Sequence, residues 1–152
     1  MPMIRATIRW QRIVVGLESP HYSRAHSWSF DGETTVRASS SPDIVPVPMS
    51  DPTAVDPEEA FVASLSSCHM LWFLAIAAKS GWNVDEYVDD ACGEMSPNDE
   101  GKMWISVVKL RPSIRWSSGS EPSVAQVSLI HHEAHDACFI ANSVRTEIVI
   151  EA

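Results

Sequence analysis

Residues 57–70 read PEEAFVASLSSCHM, and how far that stretch stays helical decides the fold. A proline followed by two glutamates is a helix start: proline needs no N–H there, and the carboxylates of Glu58 and Glu59 suit the positive end of the helix dipole. Beyond Phe61 the pattern is apolar nearly all round, through Leu65, Leu71, Trp72, Phe73, Leu74 and Ile76, until Gly81 stops it. A helix with no solvent face is buried, so a central helix over about 58–80 is predicted. Cys68 falls in its middle. Position alone reads it as a small packed residue, since free cysteine is among the most buried types. The other reading is a reactive thiol. It requires a cationic neighbour, because at the ordinary pKa of about 8.5 only a few per cent is thiolate at neutral pH.

Upstream, residues 40–57 carry five prolines and form an ordered loop leading into the helix. Before it, HSWSF and TTVRAS flank Asp31-Gly32, a hairpin signal in which both turn positions tolerate positive φ. Near the N-terminus, Ile4, Ala6, Ile8 and Trp10 alternate with Arg5, Thr7 and Arg9, as in a half-buried strand. Downstream, 86–95 and 103–116 bracket the turn-rich SPNDEGK and read as a hairpin. Trp104, Val108, Leu110, Ile114 and Trp116 share one face of its second arm and Lys109, Arg111 and Arg115 the other, with Pro112 marking an edge or bulge. Residues 122–138 return to helical spacing, with Val124, Val127, Ile130, Ala134 and Cys138 on one stripe. SVRTEIVIE closes the chain as a strand. The predicted fold is α+β, one domain over 1–152, with two principal helices against an antiparallel sheet.

At 152 residues the chain buries a core without staples, and 45% apolar and 20% charged residues are ordinary for a soluble domain. A formal charge of −9 repels nucleic-acid phosphates and anionic membrane surfaces, so neither is an expected partner. No uninterrupted apolar run nears the roughly 20 residues of a membrane span. The alternating MPMIRATIRW lacks the apolar core of an export signal. Three cysteines, widely spaced, do not make a secreted disulfide framework, so the cytoplasm is the expected compartment.

Cys138, on the stripe of the second helix, has the same two readings as Cys68, while Cys92 in a predicted strand reads as structural. Two helices that each carry a cysteine on the buried side can meet and bring the sulfurs within disulfide reach, the arrangement a sulfenic acid needs for capture by a second thiol. A rival reading is a metal module, because His131, His135 and Cys138 recur at helical spacing. Zinc accepts such ligands, but a structural site wants four and there is no CxxC.

The Pro57-Glu58 pair ten residues before Cys68, the long apolar helix, and HEAHDACFIANSV around Cys138 together resemble the two signature regions of the OsmC/Ohr family of thiol-dependent hydroperoxide reductases. The resemblance implies an intertwined α+β homodimer with two long central helices and active sites at the dimer interface. It implies Cys68 as the peroxidatic thiol, Cys138 as the resolving thiol, and Glu58 as the active-site glutamate, with Glu59 as a substitute. The family arginine precedes a Ser-x-Pro, which points to Arg24 ahead of Ser40-Ser41-Pro42, with Arg37 as the fallback. Implied too are an organic hydroperoxide substrate, or hydrogen peroxide, an external thiol or dithiol reductant, and no metal, flavin or haem. His69 departs from the phenylalanine that often follows the first cysteine, and reads as structural or pocket-edge. Phe139-Ile140-Ala141-Asn142 resembles the OsmC-like branches. A member without peroxidase activity, binding a small molecule or doing other thiol chemistry, is the alternative. One constraint is independent of the family: ten helical residues rise about 15 Å, so on a continuous helix Glu58 cannot touch Cys68. Either the first turn is broken or Glu58 serves the cysteine of a partner subunit, and the second, or a mixture of both, is predicted.

Overall fold

The predicted central helix, α1, runs unbroken from Pro57 to Lys79 in the computed structural model, which describes residues 1–13, 15, 21–119 and 121–152. Its ends are built from local chemistry. Asp56 caps the start: its Oδ1 accepts the Glu59 N–H (2.8 Å) while Glu59 Oε1 accepts the Asp56 N–H (2.8 Å), a reciprocal capping box. Glu59 is thereby occupied with the cap. At the other end Gly81 adopts φ 83°, the Trp82 N–H reaches the Ala77 carbonyl (2.9 Å) and the Gly81 N–H the Ala78 carbonyl (3.0 Å), a Schellman stop that glycine alone enters without strain.

The chain packs as two compact units, Met1–Ala60 and Phe61–Ala152. In the first, β1 (Ala6–Arg9), β2 (His26–Phe30) and β3 (Thr35–Ala38) form an antiparallel meander in the order β1-β2-β3. The hairpin lies where Asp31-Gly32 places it, but its left-handed residue is Glu33 (φ 66°), because the loop is four residues long and closes with the Phe30 N–H on the Thr34 carbonyl. β1 is not half-buried as its alternation predicts: all four residues are exposed, and Ile8 stays 60% accessible. The proline-rich segment is ordered by backbone contacts at the end of β3, with the Ser39 N–H on the Val55 carbonyl and the Val55 N–H on the Arg37 carbonyl.

In the second unit the predicted long hairpin is real but broken in two. β4 (Val84–Asp89) pairs with β7 (Pro112–Trp116), and β5 (Cys92–Pro97) with β6 (Met103–Leu110), both antiparallel. The break lies at the residue before Pro112, where the Arg111 N–H leaves the ladder for Asp89 Oδ1 (2.6 Å). The inward face predicted for this arm splits accordingly. Val108 and Leu110 pack with Phe61, Val62 and Leu65 of α1, while Ile114 and Trp116 pack with Phe73 and Ala77. Between them they line the length of the helix. The second helix, α2, spans Val124–Ala137 behind a Ser123–Gln126 capping box, and β8 (Glu147–Ile150) follows.

Two expectations are corrected here. β8 joins β6 in parallel, Val108 opposite Ile148, so the sheets are mixed; α2 lies between β6 and β8 and returns the chain in the same direction. And α1 is not buried all round: Leu65, His69, Phe73 and Ala77 form one buried row, while Leu71 remains 60% accessible. A single chain covers only one stripe. By length and composition α1 would also pass as a membrane span, a test that core helices of soluble proteins meet as well.

Gly93 of β5 permits the close approach of α1. A Cβ there would stand 2.8 Å from Val62 Cγ2 and 3.3 Å from Ile105 Cγ2, both branched and packed. Gly93→Ala is expected to cost about 1–3 kcal/mol through overpacking, read as a lower urea midpoint at unchanged m-value.

Candidate active site

The two thiols of interest come from different elements and meet. Cys68 sits half-buried in the middle of α1. Cys138 is not in α2 but is its C-cap, with extended backbone (φ −66°, ψ 114°) and 1% exposure. The chain turns there into the 3₁₀ segment Ala141–Ser143, and the Ala141 N–H points at Cys138 Sγ (3.4 Å). Burial pushes the Cys138 thiol up from its ordinary pKa, and the neighbouring Cys68 thiol pushes it the same way, against the pull of the Ala141 and Ile140 N–H groups. Both cysteines are free. Two adjacent, reduced thiols of unequal exposure are poised for disulfide chemistry, with the accessible one, Cys68, first in line for an oxidant.

The contacts between α1 and α2 fall on two adjacent rows of α1. Cys68 and Trp72 meet Cys138 and Phe139, with the Trp72 and Phe139 rings edge to face at 5.5 Å. His69 and Phe73, on the next row, meet His131: His69 Nε2 and His131 Nδ1 stand 3.0 Å apart with nearly parallel rings, and the Phe73 ring lies 4.4 Å from His131. Since residues 131 and 138 touch neighbouring rows of α1, α2 crosses α1 instead of running along it.

The buried histidine pair is the feature the sequence reading missed. The sequence marks His69 as structural or pocket-edge and His131 as a metal-ligand candidate. His69 continues the Leu65–Phe73–Ala77 row at four-residue spacing, which was the available signal. Burial, followed by the charge of His131 and of His135, holds His69 down to about 4, and burial brings His131 to about 4 as well. Both rings are therefore uncharged at neutral pH. His69 Nδ1, His131 Nε2, His135 Nδ1 and the Tyr87 hydroxyl are buried with no hydrogen-bond partner among the described residues. Burial also drives the Tyr87 phenol upward, helped by the Asp89 carboxylate. Asp89 itself accepts from Ser66 Oγ (2.5 Å).

The histidines do not make the metal site considered above. His131 turns to His69, and among the described residues no three His, Cys, Asp or Glu side chains gather as a ligand group.

Glu58 and Arg24 belong to the Met1–Ala60 unit. Because α1 is unbroken, the ten-residue rise of about 15 Å separates Glu58 from Cys68 of its own chain. Arg24 stacks on Tyr22, its guanidinium carbon 3.6 Å from the ring centroid, donates Nη1–H to the Tyr22 carbonyl (2.7 Å), and has no carboxylate partner among the described residues of its unit. Arg37, the fallback, is committed elsewhere: Nη2 pairs with Asp51 (2.6 Å) and Thr53 (2.9 Å), and the side chain is largely exposed. Cys92 has cationic company that its sequence neighbours hid. It stands opposite Lys109 in the β5–β6 ladder, and Arg111 lies close enough for the two to influence each other's charge.

Known proteins resemble this chain in sequence and in fold. The family model described as OsmC-like protein matches residues 50–152, the segment that carries α1, Cys68, α2 and Cys138. Among solved structures, an OsmC-like protein of unknown function from Vibrio cholerae O1 biovar eltor is 48% identical, over 99% of both chains, with a TM-score of 0.92. An organic hydroperoxide resistance protein from Elizabethkingia anophelis shares 15% identity over 99% of this chain and 94% of its own, with a TM-score of 0.72. The organic hydroperoxide resistance protein OhrB of Bacillus subtilis shares 14% over 98% and 96%, with a TM-score of 0.70. At such identities the last two match in fold. No curated protein matches the chain.

Proposed function

We propose for this chain, which belongs to the OsmC-like protein family, thiol-dependent reduction of organic hydroperoxides and hydrogen peroxide. The observation that carries the reading is the contact of two free thiols, one half-buried on α1 and one buried at the end of α2. The names of the Elizabethkingia and Bacillus proteins, organic hydroperoxide resistance, point to the substrate class.

In the first step the Cys68 thiolate attacks the distal oxygen of ROOH. The O–O bond breaks, the alkoxide takes a proton and leaves as ROH, and Cys68 becomes a sulfenic acid. Cys138 then attacks the Cys68 sulfur, expelling the oxygen as water and closing the disulfide. An external dithiol gives up two electrons and two protons to restore both thiols. A reducing compartment such as the cytoplasm supplies such a thiol. The mechanism requires no metal, flavin or haem.

Arg24 is the cation assigned to the thiolate and to the charge that develops on the departing oxygen, where a preorganised cation acts most strongly. It stacks on Tyr22 and, among the described residues of its unit, pairs with no carboxylate, unlike Arg37. Glu58 holds that arginine at the thiol of a second subunit, since its own Cys68 is out of reach along α1. A homodimer is the assembly this requires, and the uncovered Ile8, Leu71 and Phe139 favour one (60%, 60% and 70% accessible). A strictly monomeric active protein would overturn this assignment of Glu58.

The test is intact-mass and peptide mass spectrometry of the reduced protein after one equivalent of cumene hydroperoxide. A Cys68–Cys138 disulfide in the wild type, with sulfenic or overoxidised Cys68 in Cys138→Ser, is the expected result. All three cysteines remaining reduced would refute the reading and leave a member of the fold that binds a small molecule or does other thiol chemistry.

A further inference from the structure

His69 and His131 have no counterpart among the roles assigned so far, and their placement is costly. Every other member of the buried row, Leu65, Phe73 and Ala77, is apolar, and a polar ring in that row forfeits hydration. The single bond between the rings returns only part of that. It needs one N–H donor and one bare nitrogen, so the outer nitrogens, His69 Nδ1 and His131 Nε2, are left as one donor and one acceptor. Both are buried and unpartnered among the described residues. A leucine facing an alanine would hold the same helices together without stranding two polar atoms. What apolar side chains do not provide is direction: they slide over one another, whereas a 3.0 Å N–H···N bond fixes both distance and azimuth.

The bond lies where direction matters. His69 adjoins Cys68 in sequence, and His131 precedes Cys138 by two turns of α2. The pair thus ties the second contact row of the helix crossing, one row from the thiols. With that point fixed, α2 cannot rotate or slip on α1 without breaking the bond, and the chain that leaves α2 at its C-cap delivers Cys138 to Cys68. Closing a disulfide demands a narrow geometry, with Cβ atoms about 3.8 Å apart. The equilibrium for closure therefore responds to how firmly the two helices are registered, as an effective concentration.

We propose that the His69–His131 bond is a positioning element for the Cys68–Cys138 couple: it sets the effective concentration of one thiol at the other, and with it the reduction potential of the disulfide. The inference rests on the thiol pairing of the proposed function but not on the peroxide step.

The experiment equilibrates the full-length protein with oxidised and reduced dithiothreitol, the two protein thiols passing two electrons and two protons to the oxidised reagent, and quantifies the Cys68–Cys138 disulfide by acid quench and mass spectrometry. His69→Leu keeps the row apolar and removes the bond; His69→Gln places an amide near the position of Nε2 and retains a neutral hydrogen bond. Phe73→Leu trims the neighbour that also touches His131 and serves as the control for a general loosening of this core. Expected is a fall in effective concentration of at least about tenfold for His69→Leu, ~30 mV in the two-electron potential, recovery to within about threefold for His69→Gln, and little change for Phe73→Leu. An unchanged equilibrium in His69→Leu overturns the inference while leaving the peroxidase reading intact, as does an equal shift in Phe73→Leu. A wild-type protein that forms the disulfide with dithiothreitol but consumes no hydroperoxide sinks the peroxidase reading and leaves this inference standing. Failure of the wild type to form the disulfide at all overturns both.

Discussion

Cys68→Ser is expected to lose hydroperoxide consumption by at least about a thousandfold in an assay with excess dithiothreitol, because a serine hydroxyl is neither ionised near neutral pH nor a comparable nucleophile toward peroxide oxygen. Cys138→Ser should behave differently in kind. Its Cys68 remains accessible to the oxidant and completes a first stoichiometric reaction at an undiminished rate, after which the sulfenic acid waits for an external thiol and, with excess peroxide, passes to sulfinic acid. A burst followed by progressive inactivation is the signature. Cys92→Ser should match the wild type in both phases. Cys68→Ser consuming peroxide at the wild-type rate would remove the catalytic role from the α1 thiol, and equal loss in Cys68→Ser and Cys92→Ser would point to the Lys109–Arg111 neighbourhood instead.

The approach of Cys68 and Cys138 was legible because each falls within or at the end of a helix with an apolar face, and such faces pack on one another. The isolation of Glu58 was legible too, since it follows from the rise of a helix and needs only that α1 be unbroken, as it is. What the sequence concealed is what depends on pairing across distance. His69 gains its meaning from His131, 62 residues away, and nothing local marks that imidazole as a partner. Strand alternation fixes which face of β8 turns inward but is silent on direction, so its parallel alliance with β6 had no local signal. For Cys92 the neighbours that count are cross-strand ones, Lys109 and Arg111, absent from its own segment. The exposure of Ile8 and Leu71 has a different origin. The pattern marks these side chains for burial and the chain leaves them exposed; the dimer proposed above would cover them.

The same histidine pair should make the fold acid-labile well above the range in which carboxylates titrate. In the folded chain both rings are held down to about 4, from 6.5 for the free side chain, chiefly because burial penalises the imidazolium. The unfolded chain thus binds the protons first. The stability is complete above pH 6.5, declines as pH falls, and is exhausted once pH drops through about 4 and the folded rings charge as well. Asp89, facing the pair from β4, draws both values upward and so moderates the loss, while His135 on α2 depresses His69 further. Each ring accounts for roughly 3 kcal/mol, and the pair for about twice that, since their mutual repulsion enters through His69 alone. That is comparable to the whole stability of an ordinary domain, about 5–15 kcal/mol. Urea unfolding at fixed protein concentration should show it as a steep fall in the free energy of unfolding between pH 6.5 and about pH 4, with two protons taken up. Replacing both rings, His69→Leu with His131→Leu, should leave stability near neutral pH almost unchanged, because no polar atom is stranded, and flatten the acid limb. A double variant as acid-sensitive as the wild type would place the titrating groups elsewhere and show that the two imidazoles already carry their protons in the fold.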